Sequence, residues 1–150
     1  MNPTAKIDVD VLRLGKGRRV PVRAIKAKAR RILEILDKSS SELSIALVGD
    51  NQIQALNAEY RAKNEPTDVL SFPADEVLPD GNLLIGDVVI SVERAAVQAK
   101  AMGRSLDQEL ESLLIHGILH NLGYDHERSA KDARAMKTLE RRVANALAGC

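Results

Sequence analysis

The apolar residues of this chain recur with two periods by turns, every second residue and every third or fourth, and this alternation restricts the fold more than any other feature. Ile7, Val9 and Val11 alternate with Asp8 and Asp10, the pattern of a half-buried strand. From Pro21, a favoured first helical residue, Val22, Ile25, Ala29, Ile32, Leu33 and Leu36 fall at helical spacing. LSIALV (43–48) reads as a second, more buried strand, and Asp50 can cap a short helix carrying Ile53, Leu56 and Tyr60. VLSF (69–72) and LLIGDVVIS (83–91) read as two strands joined through a turn around PDGN (79–82). A helix runs from Val92 to about Met102, with Gly103 at its C-terminal end. Ser105 with Gln108 forms a capping-box pair that opens the next helix. Ser129 with Asp132 opens a last one, whose buried stripe is Met136, Leu139, Val143 and Leu147. The order β-α-β-α-β-β-α-α-α predicts an α+β fold, a mixed and mostly parallel four-stranded sheet covered by helices.

The length of 150 residues fits one domain, 1–150, with one core. Aromatic residues make up only 2% of the chain, so that core is built from Val, Ile, Leu and Ala, and stacking of bases on aromatic platforms is not the expected binding device. The single cysteine, Cys150, excludes a disulfide framework within the chain and a four-cysteine zinc site, and no disulfide-linked partner is expected. No apolar secretory segment opens the chain and no stretch approaches membrane-spanning length, which predicts a cytoplasmic protein without a membrane partner. Charge is divided unevenly: residues 1–40 carry +7 and residues 41–150 carry −6. A basic face on a near-neutral protein fits either a polyanionic partner or a solvated helix surface.

All three histidines lie in HGILHNLGYDH (116–126). His116 and His120, four residues apart on a helix, emerge on one face one turn apart. Gly123 can leave the helix in a left-handed conformation and let the chain bring His126 back toward the same point. Three imidazoles with a fourth position open are the arrangement of a catalytic zinc site, whereas a structural site is closed by four protein ligands. One Zn2+ per chain is the first expectation, and Ni, Cu or Co would also suit imidazole ligands. The spacing resembles that of the metzincin proteases, with one difference: those carry Glu directly after the first histidine as general base, and this chain has Gly117.

HGILHNLGYDHE, together with LNAEYR (56–61), PTDVLSFP (66–73) and IGDVVIS (85–91), resembles the YbeY family of bacterial endoribonucleases, also described as rRNA maturation factors. The resemblance runs from about residue 43 to 140, and no specific motif precedes Leu43. It implies a zincin-like fold and a metal-dependent, single-strand-specific endoribonuclease. Ribosomal RNA processing and ribosome quality control are the implied roles, with single-stranded RNA, ribosomal RNA and the small ribosomal subunit as partners. His116, His120 and His126 match the family's zinc ligands, and Arg61 matches its functional arginine. The chain departs from the family's pattern at Asn121, where an apolar residue is usual, and at Ala62 and Asn64, where Gly and Asp are common.

Cleavage of a phosphodiester needs a Lewis acid and positive charge against the transition state. Arg61 can supply that charge through a guanidinium fork matched to phosphate oxygens, so Arg61 and the ligand His116 are the catalytic candidates. Asp87 and Asp125 are carboxylates that can orient an imidazole or handle a proton. Asp125 is equally suited to a turn beside Gly123. Arg23, Lys26, Arg30 and Arg31 are candidates for RNA backbone binding. Phe72 and Met136 read as core residues. Two other functions stay open: a metal-dependent hydrolase of another substrate such as peptide, using a displaced base, and a noncatalytic ribosome-assembly factor with a structural metal.

Overall fold

Backbone hydrogen bonding follows the two periods. The computed structural model describes residues 6–14, 20–124 and 129–149. Strand β1 (Ile7–Arg13) leads through helix α1 (Val22–Ile35) to β2 (Ser41–Val48), and α2 (Asp50–Arg61) leads to the hairpin of β3 (Val69–Val77) and β4 (Leu83–Ser91). Three helices follow, α3 (Val92–Ala101), α4 (Leu106–Asn121) and α5 (Ala130–Ala148). The sheet order is β1-β2-β4-β3, with β1, β2 and β4 mutually parallel and β3 antiparallel on the edge. The short turn after β3 can join only antiparallel neighbours, while each parallel pair needs a long crossover. The expected mixed, mostly parallel sheet is therefore observed.

Helices lie on both faces, but unequally. One face presents Val9, Leu43, Ile45, Val88 and Ile90 to Ile32 and Leu33 of α1, Leu114 and Ile118 of α4, and Met136 and Val143 of α5. Full burial of each such aliphatic side chain contributes about 1.5–3 kcal/mol. The opposite face holds a smaller cluster of Val48, Ile53, Leu70 and Val89 under α2. Among the described residues, no helix is long and apolar enough to cross a membrane.

Some local details differ from expectation. Asp50 is not the cap of α2 but its first residue, after Gly49. Its carboxylate instead accepts the Ser91 hydroxyl at 2.7 Å and an Arg94 guanidinium N–H at 3.0 Å, which ties α2 to the β4–α3 junction. Strand β3 continues past VLSF to Val77, with an irregular register between Pro73 and Glu76. Gly86 sits opposite Pro73 at φ +128°, and a Cβ there would lie 2.1 Å from the Phe72 carbonyl oxygen. Only glycine lets the two backbones approach this closely.

Candidate active site

Helix α4 presents one half-open stripe to solvent, and the histidines stand on it. Its N-terminus forms the expected capping box: Ser105 Oγ accepts from Gln108 N–H at 3.1 Å, and Gln108 Oε1 accepts from Ser105 N–H at 2.9 Å. Beyond Ser112, every residue as far as Asn121 is buried except His116 and His120, which are half-buried. Their ring centroids are 6.4 Å apart. The helix ends as Gly123 turns to φ +104°. There Gly123 N–H donates to the His120 carbonyl and Tyr124 N–H to the Leu119 carbonyl, both at 3.1 Å, the paired bonds of a left-handed glycine terminus.

Across from this stripe stands the C-terminal end of α2. Arg61 is its last residue, and the following Ala62 closes the helix at φ +57°, a left-handed conformation that explains why glycine suits the position after the arginine. The loop to β3 folds back under two bonds, Asn57 Nδ2–H to the Glu65 carbonyl at 2.9 Å and Gln54 Nε2–H to Asn64 Oδ1 at 3.1 Å. Arg61, Lys63, residues 65–71, His116 and His120 thereby line one polar cleft of about 290 Å³. Arg61 Nη2–H donates to the Ser71 carbonyl at 3.4 Å, and Ser71 Oγ–H donates to the Gly117 carbonyl at 3.3 Å. These contacts link α2, β3 and α4 through the cleft wall.

Gly117 has a packing reason. A Cβ at this position would lie 2.7 Å from Cγ1 and 3.2 Å from Cγ2 of Val88, which is fully buried in β4. The sheet occupies the place where a metzincin-type glutamate would begin. One turn on, Asn121 is 4% exposed and donates Nδ2–H to the Asp87 carbonyl at 3.0 Å, so its amide fastens α4 to β4.

Electrostatics single out His116. Its Nδ1–H donates to Glu140 Oε2 of α5 at 3.2 Å. That hydrogen bond raises the imidazole pKa from its ordinary value; burial opposes the shift, and the negative fields of Glu140 and Asp68 add to it.

The structure gathers some of the sequence candidates and separates others. Arg61, His116 and His120 share the cleft, and PTDVLS borders it. Asp87 does not. Val88 faces α4, so the alternation of β4 turns the Asp87 side chain to the other sheet face, into a groove with Asp10, Tyr60 and Phe72. Asp87 is therefore not placed to orient the imidazole of His116 or His120. Phe72 packs edge-on against Tyr60, with centroids 5.3 Å apart, in that same groove, and Met136 is buried in the core. Arg23, Lys26, Arg30 and Arg31 are exposed on α1, outside the cleft lining, and Arg30 Nη1–H donates to the Ile7 carbonyl at 2.7 Å. His126 and Asp125 lie outside the described residues. Glu140 had no sequence signal and Ser71 none beyond its place in PTDVLSFP: both gain their positions through packing between distant elements.

Among the described residues, no group of three or more His, Cys, Asp or Glu side chains is placed to hold a metal ion. The two histidines that are described suit one nonetheless. Both imidazoles line one polar cleft from adjacent turns, and one of them is backed by a carboxylate, as metal-binding imidazoles usually are.

Fold and cleft together define an α+β protein in which a helical histidine pair faces an arginine across a polar cavity. The family described as Endoribonuclease YbeY matches residues 14–148. An Endoribonuclease YbeY of Anaeromyxobacter dehalogenans is 51% identical over 83% of this chain, which spans 63% of that relative's length. One from Thermodesulfovibrio yellowstonii is 38% identical over 92% of this chain and 96% of its own. The solution structure of TM1509 from Thermotoga maritima is similar with a TM-score of 0.63 and 28% identity, covering 90% of this chain and 85% of that one. The chain belongs to the endoribonuclease YbeY family. The match takes in α1, which carried no motif legible by itself.

Proposed function

We propose that this chain, as a single hydrolase domain over residues 1–150, is a cytoplasmic metal-dependent endoribonuclease that cuts single-stranded RNA in ribosomal RNA processing and ribosome quality control. The relatives' shared name supports the reaction class. The observation that carries the reading is the meeting of Arg61 with His116 and His120 in one cleft, although they belong to different elements.

His116, His120 and, by the family resemblance, His126 would hold the ion, with zinc the first choice for an all-imidazole set. Such an ion supplies Lewis-acid activation of the nucleophile or of a phosphoryl oxygen. The chain's own residues do the rest. Arg61 offers N–H donors in a fixed fork to the non-bridging oxygens of the scissile phosphate, and it stays charged at any working pH. Lys63 adds a second positive charge at the same cleft. The bond from Arg61 to the Ser71 carbonyl holds the guanidinium toward β3 before substrate arrives, so less ordering is needed on binding.

Arg61→Ala is expected to lower cleavage of a labelled single-stranded RNA by about 10²–10³-fold, the usual loss when one preorganised charge stabiliser is removed. Arg61→Lys keeps the charge but not the fork and should recover only part of that loss. Full activity in the lysine variant would contradict the role of the fork.

The exposed basic face of α1 is proposed to bind RNA backbone, with the small ribosomal subunit as the source of that RNA. Because Arg30 also supports β1, charge reversal is cleaner at Arg23 and Lys26. The double reversal should weaken RNA binding and flatten its salt dependence, each lost phosphate contact reducing the log–log slope by about 0.7 for a single strand. Unchanged affinity and slope would remove this helix from the interface.

A further inference from the structure

We infer that Glu140 is a positioning residue for His116: it fixes the imidazole with Nδ1 turned toward α5 and Nε2 assigned to the cleft. The inference rests on the metal reading of the cleft and adds to it a residue from a helix that does not line the cleft.

The geometry has three parts. Glu140 Oε2 accepts from His116 Nδ1–H at 3.2 Å. His116 borders two cavities at once, the cleft with Arg61 and His120 and a groove behind it with Arg104, Glu109 and Ser112. Glu140 borders the groove behind and not the cleft. The carboxylate therefore meets the ring on the side away from Arg61 and His120, and the remaining ring nitrogen is the one left to serve the cleft.

The backing carboxylate is itself held in place. Glu140 lies four residues after Met136 and three before Val143, the two fully buried anchors of α5, so its turn of helix is pinned against the core. Neither partner is deeply buried, the side chains being 29% and 28% exposed for His116 and Glu140. An ion pair this open contributes little to folding, whereas a fixed tautomer and ring orientation matter directly to ligation.

The test uses the full chain and Zn2+ alone, with affinity measured by competition against a chromophoric chelator and the thermal midpoint of the metal-free protein measured alongside. Glu140→Ala should bind zinc about 10–100-fold more weakly while its metal-free midpoint stays close to the parent's. Glu140→Gln, whose amide oxygen can still accept from Nδ1–H, should recover most of the affinity. If Glu140→Ala binds zinc as tightly as the parent while His120→Ala loses it, the metal reading stands and the role of Glu140 is overturned. A lowered metal-free midpoint with unchanged affinity also overturns it, because the contact is then structural only. Should the parent bind zinc no better than His120→Ala, the metal reading falls and takes the inference with it.

Discussion

His120→Ala is expected to lose its metal and to cleave single-stranded RNA at least about 10³-fold more slowly, because a catalytic ion supplies several kcal/mol of transition-state stabilisation and each 1.36 kcal/mol is tenfold in rate. The fold should survive the change. His120 stands on the half-open stripe of α4, facing the cleft with Arg61, and the neighbouring Ile118 and Leu119 that hold the helix in the core are untouched. Elemental analysis of the purified variant, with its thermal midpoint, separates loss of metal from loss of structure. Retained metal and retained cleavage would refute the assignment of His120.

Gly117→Glu is expected to destabilise the protein strongly rather than to create a peptidase. Glycine within a helix is unfavourable by about 1 kcal/mol, so a neutral site would gain from the exchange. This site is not neutral. The new Cβ would press on Val88, whose branched side chain is stiff and fully buried, and overpacking of this kind costs about 1–3 kcal/mol. A carboxylate forced between α4 and the sheet adds a desolvation penalty that is larger still unless it finds a partner. With a net loss of about 3 kcal/mol or more, and about 2–4 °C per kcal/mol for a chain of this size, the midpoint should fall by roughly 6–12 °C or further. Gly117→Ala should fall by less, since it meets Val88 without the carboxylate. A glutamate variant as stable as the parent would contradict the packing account. The same crowding weighs against a peptidase with its base at this position, since the fold leaves no space for one.

Much of this architecture was legible because burial leaves a local trace. The alternation over Ile7–Val11, the helical spacing after Pro21 and the capping pair Ser105 and Gln108 each report their own element. What could not be read depends on how elements meet. LLIGDVVIS is apolar on both faces, since β4 is an interior strand with cover on each side, and so its sequence does not show that Asp87 points away from His116 and His120. Strand β3 extends through Pro73 because an edge strand tolerates a residue that cannot donate to the ladder, and FPADEV has no alternation to announce it. Glu140 reaches His116 only through the packing of α5 on α4, which no local pattern encodes. The histidine pair was visible from its spacing alone. Its meeting with Arg61 came from the family resemblance, and it rests physically on the loop and the hairpin that bring the C-terminal end of α2 to the cleft beside α4.

The most direct test of a single ribonuclease site built from Arg61 and the histidines is cleavage of one labelled single-stranded RNA by zinc-loaded parent, Arg61→Ala and His120→Ala, prepared identically and compared side by side. Cleavage by the parent with loss in both variants is the predicted result. Equal cleavage by all three would trace the activity to a contaminating nuclease and contradict the site.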